Sequence, residues 1–366
     1  MTVYLVLIFI IFFFGLLIKP QDSSVRKALF LVFSFLYMFT VSAFRAFTVG
    51  SDTKTYLLLY DKIAFLQPKN SRYEVGFFYY VKFLHQLSNN PTLLLAVSSF
   101  ICVGAVCFFI YKFSDDPVRS VLLYIVLKQF FFQMTGMRQA LATAFVLIAF
   151  CFVMNKRSLW RIIASSAFIM LAILFHNMSF IILIIYLIWL IMSEERKERI
   201  TPGKTLGWTV VISLLSFALF SIIMGIVGFI APQYVNYADS TWGDSNYFGS
   251  LFNMLIHFSF LAVGAYYCRD NDLEPKERFS FLMISMSVVL ATLSMRMEIW
   301  GRLVGLFSIY TPLILAPCFV MRAKDDGNRT ILRILVFSFS FAYMLITFVF
   351  RPEWDGVVPY RFISIL

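Results

Sequence analysis

The chain has 366 residues, of which 60% are hydrophobic, 19% aromatic and only 14% charged, with a formal net charge of +11. A soluble globular domain carries about 25% charged residues, so this composition excludes a soluble protein. The positive charge does not point to nucleic-acid binding, because most of it lies in connections too short to form a binding module, where the positive-inside bias of membrane proteins explains it.

Apolar stretches of about 20 residues, the length that a helix needs to cross a bilayer, recur along the whole chain. The first has no basic residue before it and Lys19 after it, the reverse of a cleavable secretory signal, so we expect it to remain as a helix. The pattern predicts an all-α polytopic membrane protein, one integral membrane domain over residues 1–366, with about twelve transmembrane helices at 2–18, 28–44, 92–111, 119–135, 139–154, 160–175, 177–192, 205–230, 250–268, 279–295, 302–321 and 332–350.

Lysine and arginine predict the orientation of these spans, because short cytoplasmic loops carry an excess of both. Six alternating gaps hold most of the basic residues and are assigned to the cytoplasm: 19–27, 112–119, 155–161, 193–204, 269–278 and 322–333. With an even number of spans, both chain termini then lie outside the cytoplasm.

Two of the predicted outer loops are long, 45–91 and 231–249, and we expect the functional site to lie there. Within the first loop, "TYLLLYDKIAFL" and "YEVGFFYYVKFLHQL" place apolar residues at helical spacing. These segments are predicted to be helices that lie along the outer surface of the membrane.

Arginines recur at the predicted outer ends of spans, where positive charge is normally avoided. Arginine is a fork of donors that matches phosphate oxygens, so several at one membrane depth indicate a phosphate-bearing ligand. The alternative is that each side chain reaches out to lipid phosphates. The group consists of Arg45, Arg138, Arg296, Arg302 and Arg351.

Lys128 lies inside the predicted span 119–135, where a charge on a lipid-facing helix would cost about 2.5–3.5 kcal/mol. We therefore expect Lys128, with Gln129 and Gln133, to face the protein interior. Four residues near these basic side chains are candidates for proton transfer: Asp52, Glu74, Glu298 and His176. Any of them could instead have a structural role, by pairing with an arginine.

Several kinds of site have no support in the sequence. It contains no P-loop, no GxGxxG and no zinc-ligand cluster, so we expect no nucleotide, metal or other cofactor. The "DND" at 270–272 fits a metal-binding DxD pattern, but it falls in a short predicted cytoplasmic gap with no nucleotide-binding fold around it, and chance explains it.

A family resemblance rests on five short motifs and covers nearly the whole chain. They are "R-x-x-x-V-G-x-D-T-x-x-Y" at Arg45–Tyr56, "E-x-G" at Glu74–Gly76, "M-R-Q-x-L-A" at Met137–Ala142, the histidine of "FHNMSF" and "VPY" at Val358–Tyr360. With this order along many spans, the chain resembles the bacterial polysaccharide repeat-unit polymerases, in particular the EpsG-like branch of the Wzy-type polymerases.

The resemblance implies a bacterial plasma-membrane (inner-membrane) enzyme that joins repeat units carried on undecaprenyl pyrophosphate, with its site facing the periplasm or cell exterior. The product would be an O-antigen, a capsule or an exopolysaccharide, and no nucleotide or metal would take part. The partners implied are lipid-linked glycan repeat units, membrane lipids, a flippase and a chain-length regulator, with no nucleic acid.

Combined with the residues, the resemblance assigns three groups of site residues. Asp52, Glu74 and His176 are rival catalytic bases. The pyrophosphate would be bound by Arg45, Arg138, Arg296, Arg302 and Lys128. Tyr56, Glu298 and Tyr360 are expected to make other substrate contacts.

Two other functions remain open from the sequence. A transporter or flippase for a lipid-linked glycan would explain Lys128 at membrane depth, although the two halves of the chain show no convincing repeat. A ligase that transfers a finished glycan to a different acceptor would use nearly the same chemistry as a polymerase.

Overall fold

The structure is a computed structural model that describes residues 1–154, 158–230, 247–269, 273–323 and 325–363. Within these ranges every regular element is helical, apart from one isolated antiparallel bridge between Arg45 and Phe362, and the prediction of an all-α protein is confirmed. The α-helices are α1 Thr2–Ile18, α2 Ser24–Ala43, α3 Thr53–Lys62, α4 Val75–Leu87, α5 Thr92–Phe113, α6 Pro117–Val126, α7 Gln129–Thr135, α8 Met137–Val153, α9 Leu159–Phe175, α10 Phe180–Ile191, α11 Glu194–Glu198, α12 Pro202–Ala218, α13 Phe220–Ile230, α14 Tyr247–Tyr267, α15 Pro275–Ser294, α16 Ile299–Ser308, α17 Ala316–Met321 and α18 Asp326–Phe350.

Each predicted span coincides with one or more of these helices. By length and apolar composition, six of the described helical stretches can cross a membrane, namely α2, α5, α14, α15, the stretch Ile299–Met321 and α18. A seventh crossing results if α12 and α13, which are bent by 76° at their junction, form one span. These stretches show that the protein is a multi-pass membrane protein. The other apolar helices are shorter, so the count of twelve spans stays a prediction.

Local sequence sets several helix boundaries. Asp116 accepts a hydrogen bond from the backbone N–H of Arg119 and Pro117 follows it, which together start α6. Glu274 and Glu277 form a reciprocal capping box at the start of α15. The starts of α6 and α15 are thus stabilised by side chains that satisfy free backbone N–H groups.

The predicted span 119–135 is broken at Lys128. This residue has a left-handed backbone (φ 68°), and it separates α6 from α7. A non-glycine residue in that conformation costs about 1–2 kcal/mol, so a tertiary contact must favour it. The contact is an ion pair between Lys128 Nζ and Asp355 Oδ2, 2.7 Å apart.

The chain forms two compact units. The first comprises Met1–Ile191 with Arg333–Leu366, and the second comprises Met192–Leu332. In the first unit, α8 packs along α9, and α4 packs on α9 and α5. These packings place the loop before α4, the start of α8 and the end of α9 next to one another.

The C-terminal segment (residues 351–363) lies against the loop that follows α2. The backbone N–H of Gly50 donates to Gly356 O at 2.8 Å, and that of Ala46 donates to Arg361 O at 2.9 Å. Tyr360 Oη donates to Val41 O at 2.9 Å. The motif that begins at Arg45 is therefore held in place by the far end of the chain.

Candidate functional site

Glu74 lies at the start of α4 and contacts two basic side chains. Its Oε2 is 2.5 Å from Arg138 Nη1, and its Oε1 is 3.3 Å from His176 Nδ1. The backbone N–H of Asn177 also donates to Oε1, at 3.3 Å. The carboxylate is only 8% exposed, so both of its oxygens are used within the protein.

Arg138 occupies the first turn of α8, a position where the helix dipole disfavours a cation. Its Nε donates to Tyr56 Oη at 3.4 Å, and its guanidinium carbon lies 5.2 Å from the centre of the Tyr73 ring. In the part of the chain that the structure describes, Nη2 makes no hydrogen bond, and the side chain is 25% exposed. Arg138 is thus fixed by two of its nitrogens and has a third available to a ligand.

His176 caps the end of α9 with an extended backbone (φ −155°). Because the Glu74 carboxylate can only accept, His176 Nδ1 is the donor of the hydrogen bond between them. The other nitrogen, Nε2, is buried and has no partner among the described residues. A buried polar atom without a partner costs about 1–3 kcal/mol, which makes Nε2 a candidate for substrate contact.

The electrostatics of the cluster keep Glu74 ionised. Burial alone would raise the pKa of this carboxyl group, but the hydrogen bond from His176 and the charge of Arg138 outweigh it and lower the pKa to about 2. For Tyr56, burial raises the pKa in spite of the nearby Arg138 guanidinium, so its hydroxyl stays protonated.

Two motif glycines allow the close approaches that build the site. A Cβ on Gly76 would lie 2.7 Å from Leu174 O near the end of α9, so only glycine lets α4 bring Glu74 to His176. Gly50 has φ +90°, and a Cβ there would lie 2.3 Å from Met134 O. These contacts give a physical reason for the glycines of both motifs.

Arg45 is placed in the interior, only 1% exposed. It donates to Ser42 O, to Met134 O at 3.2 Å and to Thr53 Oγ1 at 3.3 Å. Burial lowers the pKa of its guanidinium to about 10, which still leaves it protonated near neutral pH. Arg45 thus connects the loop after α2 to the end of α7, and its buried guanidinium is not exposed to a ligand.

Lys128 is also buried, as expected from the sequence, and so is Gln133. Its ammonium is paired with Asp355 and lies 5.6 Å and 5.7 Å from the ring centres of Tyr343 and Trp354. The carboxylate and the rings surround this charge, and none of these three contacts of Lys128 involves Glu74, Arg138 or His176.

The other predicted site residues fall in different surroundings. Asp52 is exposed at the start of α3, and Tyr360 anchors the C-terminal segment to α2. Arg296 and Arg302 are exposed and Glu298 is half-buried, all at the connection between α15 and α16 in the second unit. Arg296 lies over the Phe217 ring at 4.4 Å. The predicted loop 231–249 lies outside the described residues from 231 to 246.

The structure thus brings together Glu74, Arg138, His176 and Tyr56 from among the predicted residues. It adds Tyr73, whose ring supports Arg138, and Asp355, the partner of Lys128. Tyr73 directly precedes Glu74 of the E-x-G motif, and this position in the sequence could have indicated it as a site residue. Nothing in the sequence indicated Asp355, because its partner Lys128 lies 227 positions away.

The position of Arg45 leads to a prediction. Arg45→Ala removes the side-chain donor of the buried Ser42 carbonyl, whereas the Met134 carbonyl keeps Thr53 Oγ1 as a donor. A buried group left unpaired costs about 1–3 kcal/mol, so the protein should unfold at a lower temperature and reach the membrane in smaller amounts. Thermal unfolding in detergent measures this. Arg351→Ala is the control, because that side chain is 56% exposed. Wild-type stability with lost activity would instead assign Arg45 to the substrate.

Comparison with known proteins gives one match. The family model of the EpsG family matches residues 28–362, nearly the whole chain. A search of curated proteins and a search of solved structures each found no match.

Proposed function

The chain belongs to the EpsG family and is a membrane protein of polysaccharide biosynthesis; from that premise we propose that it is a polysaccharide polymerase. The proposed reaction joins oligosaccharide repeat units carried on undecaprenyl pyrophosphate at the outer face of the bacterial plasma membrane. The observation that carries the proposal is Glu74, which holds Arg138 with one oxygen and His176 with the other.

The proposed reaction is a displacement at an anomeric carbon. A hydroxyl of the incoming unit attacks the anomeric carbon of the growing chain, and the new glycosidic C–O bond forms as the bond to the pyrophosphate oxygen breaks. The electron pair of the broken bond stays on undecaprenyl pyrophosphate, and the hydroxyl proton passes to a base. The enzyme must therefore supply a base for the acceptor and fixed positive charge for the leaving group.

His176 fits the role of the base better than Glu74 does. A carboxylate with a pKa of about 2 accepts a proton poorly near neutral pH. Nε2 of His176 is buried without a partner among the described residues, and it carries the lone pair of the neutral imidazole when Nδ1 donates to Glu74. Glu74 then orients the imidazole and stabilises the imidazolium that forms, as the carboxylate does in catalytic triads. The two rivals from the sequence act together in this proposal.

Arg138 fits the role of the cation for the leaving group. Its contacts with Glu74, Tyr56 and Tyr73 fix the guanidinium before substrate arrives, and Nη2 remains to donate to a phosphoryl oxygen. A preorganised donor of this kind stabilises developing negative charge in the transition state. Arg296, Arg302 and Glu298 stay proposed substrate contacts, and so does the exposed Asp52.

Purified protein tests the polymerase proposal directly. With lipid-linked repeat units alone, in the presence of a chelator and without nucleotide, we expect a ladder of glycans of increasing length. A protein that only moves these units across a liposome membrane would be a flippase, and one that requires a different acceptor would be a ligase. Either result would replace the polymerase proposal.

One structural observation favours the transporter alternative. The predicted span 119–135 is interrupted at a charged residue, and interrupted helices near mid-membrane are common in transporters. Lys128, however, is already neutralised by Asp355 and surrounded by rings. Lys128→Gln combined with Asp355→Asn removes this charge without leaving half of a buried ion pair. It separates the two functions, because a transporter that uses the charge should stop moving substrate while polymerisation by the Glu74 centre should continue.

The proposed orientation gives a prediction about topology. Alkaline phosphatase, which is active only outside the cytoplasm, should be active when fused after Leu366 or inserted in the loop 45–91, because both are assigned to the outer side. The matched control is an insertion in the gap 112–119, where the enzyme should be inactive. The reverse pattern would place the Glu74 centre on the cytoplasmic side and contradict the proposal.

A further inference from the structure

The Tyr73 ring is contacted by two arginines. The guanidinium carbons of Arg72 and Arg138 each lie 5.2 Å from its ring centre. Arg72 Nη2 also donates to Tyr73 Oη at 3.2 Å. Both distances are within the range of cation–π attraction, so one ring holds two cations in defined places.

The two arginines differ in how their charge is balanced. Arg138 is paired with the carboxylate of Glu74. Arg72 is exposed, and in the described ranges of the chain it has no carboxylate partner. The cluster of Arg72, Arg138 and Glu74 therefore carries one net positive charge, with the excess on the exposed side. An anion bound by both guanidiniums would relieve their mutual repulsion.

Two guanidiniums held on one ring favour a ligand with two anionic groups. Because each guanidinium carbon lies 5.2 Å from the same ring centre, the two are separated by no more than twice that distance. A diphosphate presents two phosphoryl groups in a row, so one can accept from Nη2 of Arg138 while the other accepts from the fork of Arg72. A single phosphoryl group has fewer oxygens to share between two forks.

We propose that Arg72 is a second diphosphate-binding residue, and that Tyr73 is the positioning residue that holds it beside Arg138. The inference rests on the proposed function and deepens it, because it assigns the pair of cations that receives the leaving group. The site is built from consecutive residues, Arg72, Tyr73 and Glu74, with Arg138 supplied by α8. Arg45, whose donors are used in the interior, has no part in it.

Binding of isoprenoid phosphates tests this site without requiring catalysis. The full chain in phosphatidylcholine nanodiscs is titrated with farnesyl diphosphate and with farnesyl monophosphate. Arg72→Ala should weaken diphosphate binding about 10-fold or more, equivalent to about 1.4 kcal/mol, and monophosphate binding clearly less. Lys69→Ala is the matched control, because it removes one exposed charge from the same loop and Lys69 contacts no ring among the described residues. This control should bind as the wild type does.

Tyr73 variants test the positioning role. Tyr73→Phe keeps the ring and should keep most of the affinity, whereas Tyr73→Leu removes the surface on which both arginines lie and should lose as much as Arg72→Ala. Equal losses in Arg72→Ala and Lys69→Ala would overturn the inference, because they would show a general effect of charge. Loss of diphosphate binding when phosphatidylglycerol is added to the nanodiscs would overturn it too, since the site would then be one for lipid headgroups.

The outcomes for Arg72 and for the proposed function can be told apart. If the wild type elongates lipid-linked glycans and Arg72→Ala does so equally well, the inference fails and the polymerase proposal stands. If the wild type binds farnesyl diphosphate through Arg72 but never elongates glycans, the site stands and the polymerase proposal fails.

Discussion

Glu74→Gln is expected to slow polymerisation by roughly 10²–10⁴-fold, the range that a positioned acid or base contributes. It should lower the amount of folded protein less than Arg138→Ala does, because the charge that it leaves, on Arg138, is 25% exposed. Glutamine has nearly the same shape, but it lacks the charge that pairs with Arg138 and stabilises protonated His176. The amide nitrogen of glutamine is itself a donor, so it cannot accept the hydrogen bond that one of the two Glu74 oxygens accepts. The measurement is the rate of glycan elongation at a matched amount of membrane protein.

The control for this experiment is Glu195→Gln in α11. That carboxylate is 75% exposed, and its ion-pair partner among the described residues is Arg199, itself 72% exposed, so removing its charge should change neither rate nor stability. A wild-type rate in Glu74→Gln would remove Glu74 from the catalytic cluster and leave the proposed function without its main support.

A double variant decides whether Glu74 and His176 act as one unit. Residues that share one catalytic task are strongly non-additive, so Glu74→Gln combined with His176→Ala should be little slower than His176→Ala alone. Independent roles would make the two losses multiply. The second result would favour separate contributions and contradict the orienting role proposed for Glu74.

Arg138→Lys is expected to shorten the glycans and slow their formation by about 10-fold or more, since each 1.4 kcal/mol of lost interaction is tenfold. Lysine keeps the charge, but a single ammonium cannot replace the planar fork that contacts Glu74, Tyr56 and the face of Tyr73 at once. The length distribution on a gel, at matched protein level, gives the result. If Arg138 only reaches lipid phosphates, lysine does so equally well and the ladder stays that of the wild type.

Arg138→Ala needs a companion variant because it also affects folding. It leaves Glu74 buried without its cation, and breaking a buried pair in this way costs about 3–5 kcal/mol. Arg138→Ala combined with Glu74→Gln removes both charges, so it should restore the amount of folded protein without restoring elongation. Arg199→Lys is the control for the lysine change, because Arg199 is 72% exposed in α11 and should tolerate it.

Much of the fold follows from the sequence, because a helix that crosses a bilayer must be apolar along its length. The first predicted span, 2–18, is the helix Thr2–Ile18, and the span 160–175 is Leu159–Phe175 within one residue. The break of the span 119–135 was not predicted. It depends on the left-handed backbone of Lys128, and the partner of Lys128 is Asp355, at the other end of the chain.

The sequence by itself determined which residues were candidates for the functional site. Charge is costly near a bilayer, so each arginine, acid and histidine there had to serve either a contact or a reaction. Arg45 and Arg138 looked alike by this criterion, since each lies in a motif at the end of an apolar run.

Only the tertiary structure decided where these candidates lie and which side chains they contact. Arg45 is buried with its donors used by Ser42, Thr53 and Met134, whereas Nη2 of Arg138 makes no hydrogen bond to the residues that the structure describes. Glu74 and His176, rival bases in the sequence, are one hydrogen-bonded pair across 102 positions of chain. The physical reason is that such contacts depend on how helices pack against one another. The packing of α4 on α9 at Gly76 depends on the surfaces of both helices, so the sequence of either helix alone does not reveal it.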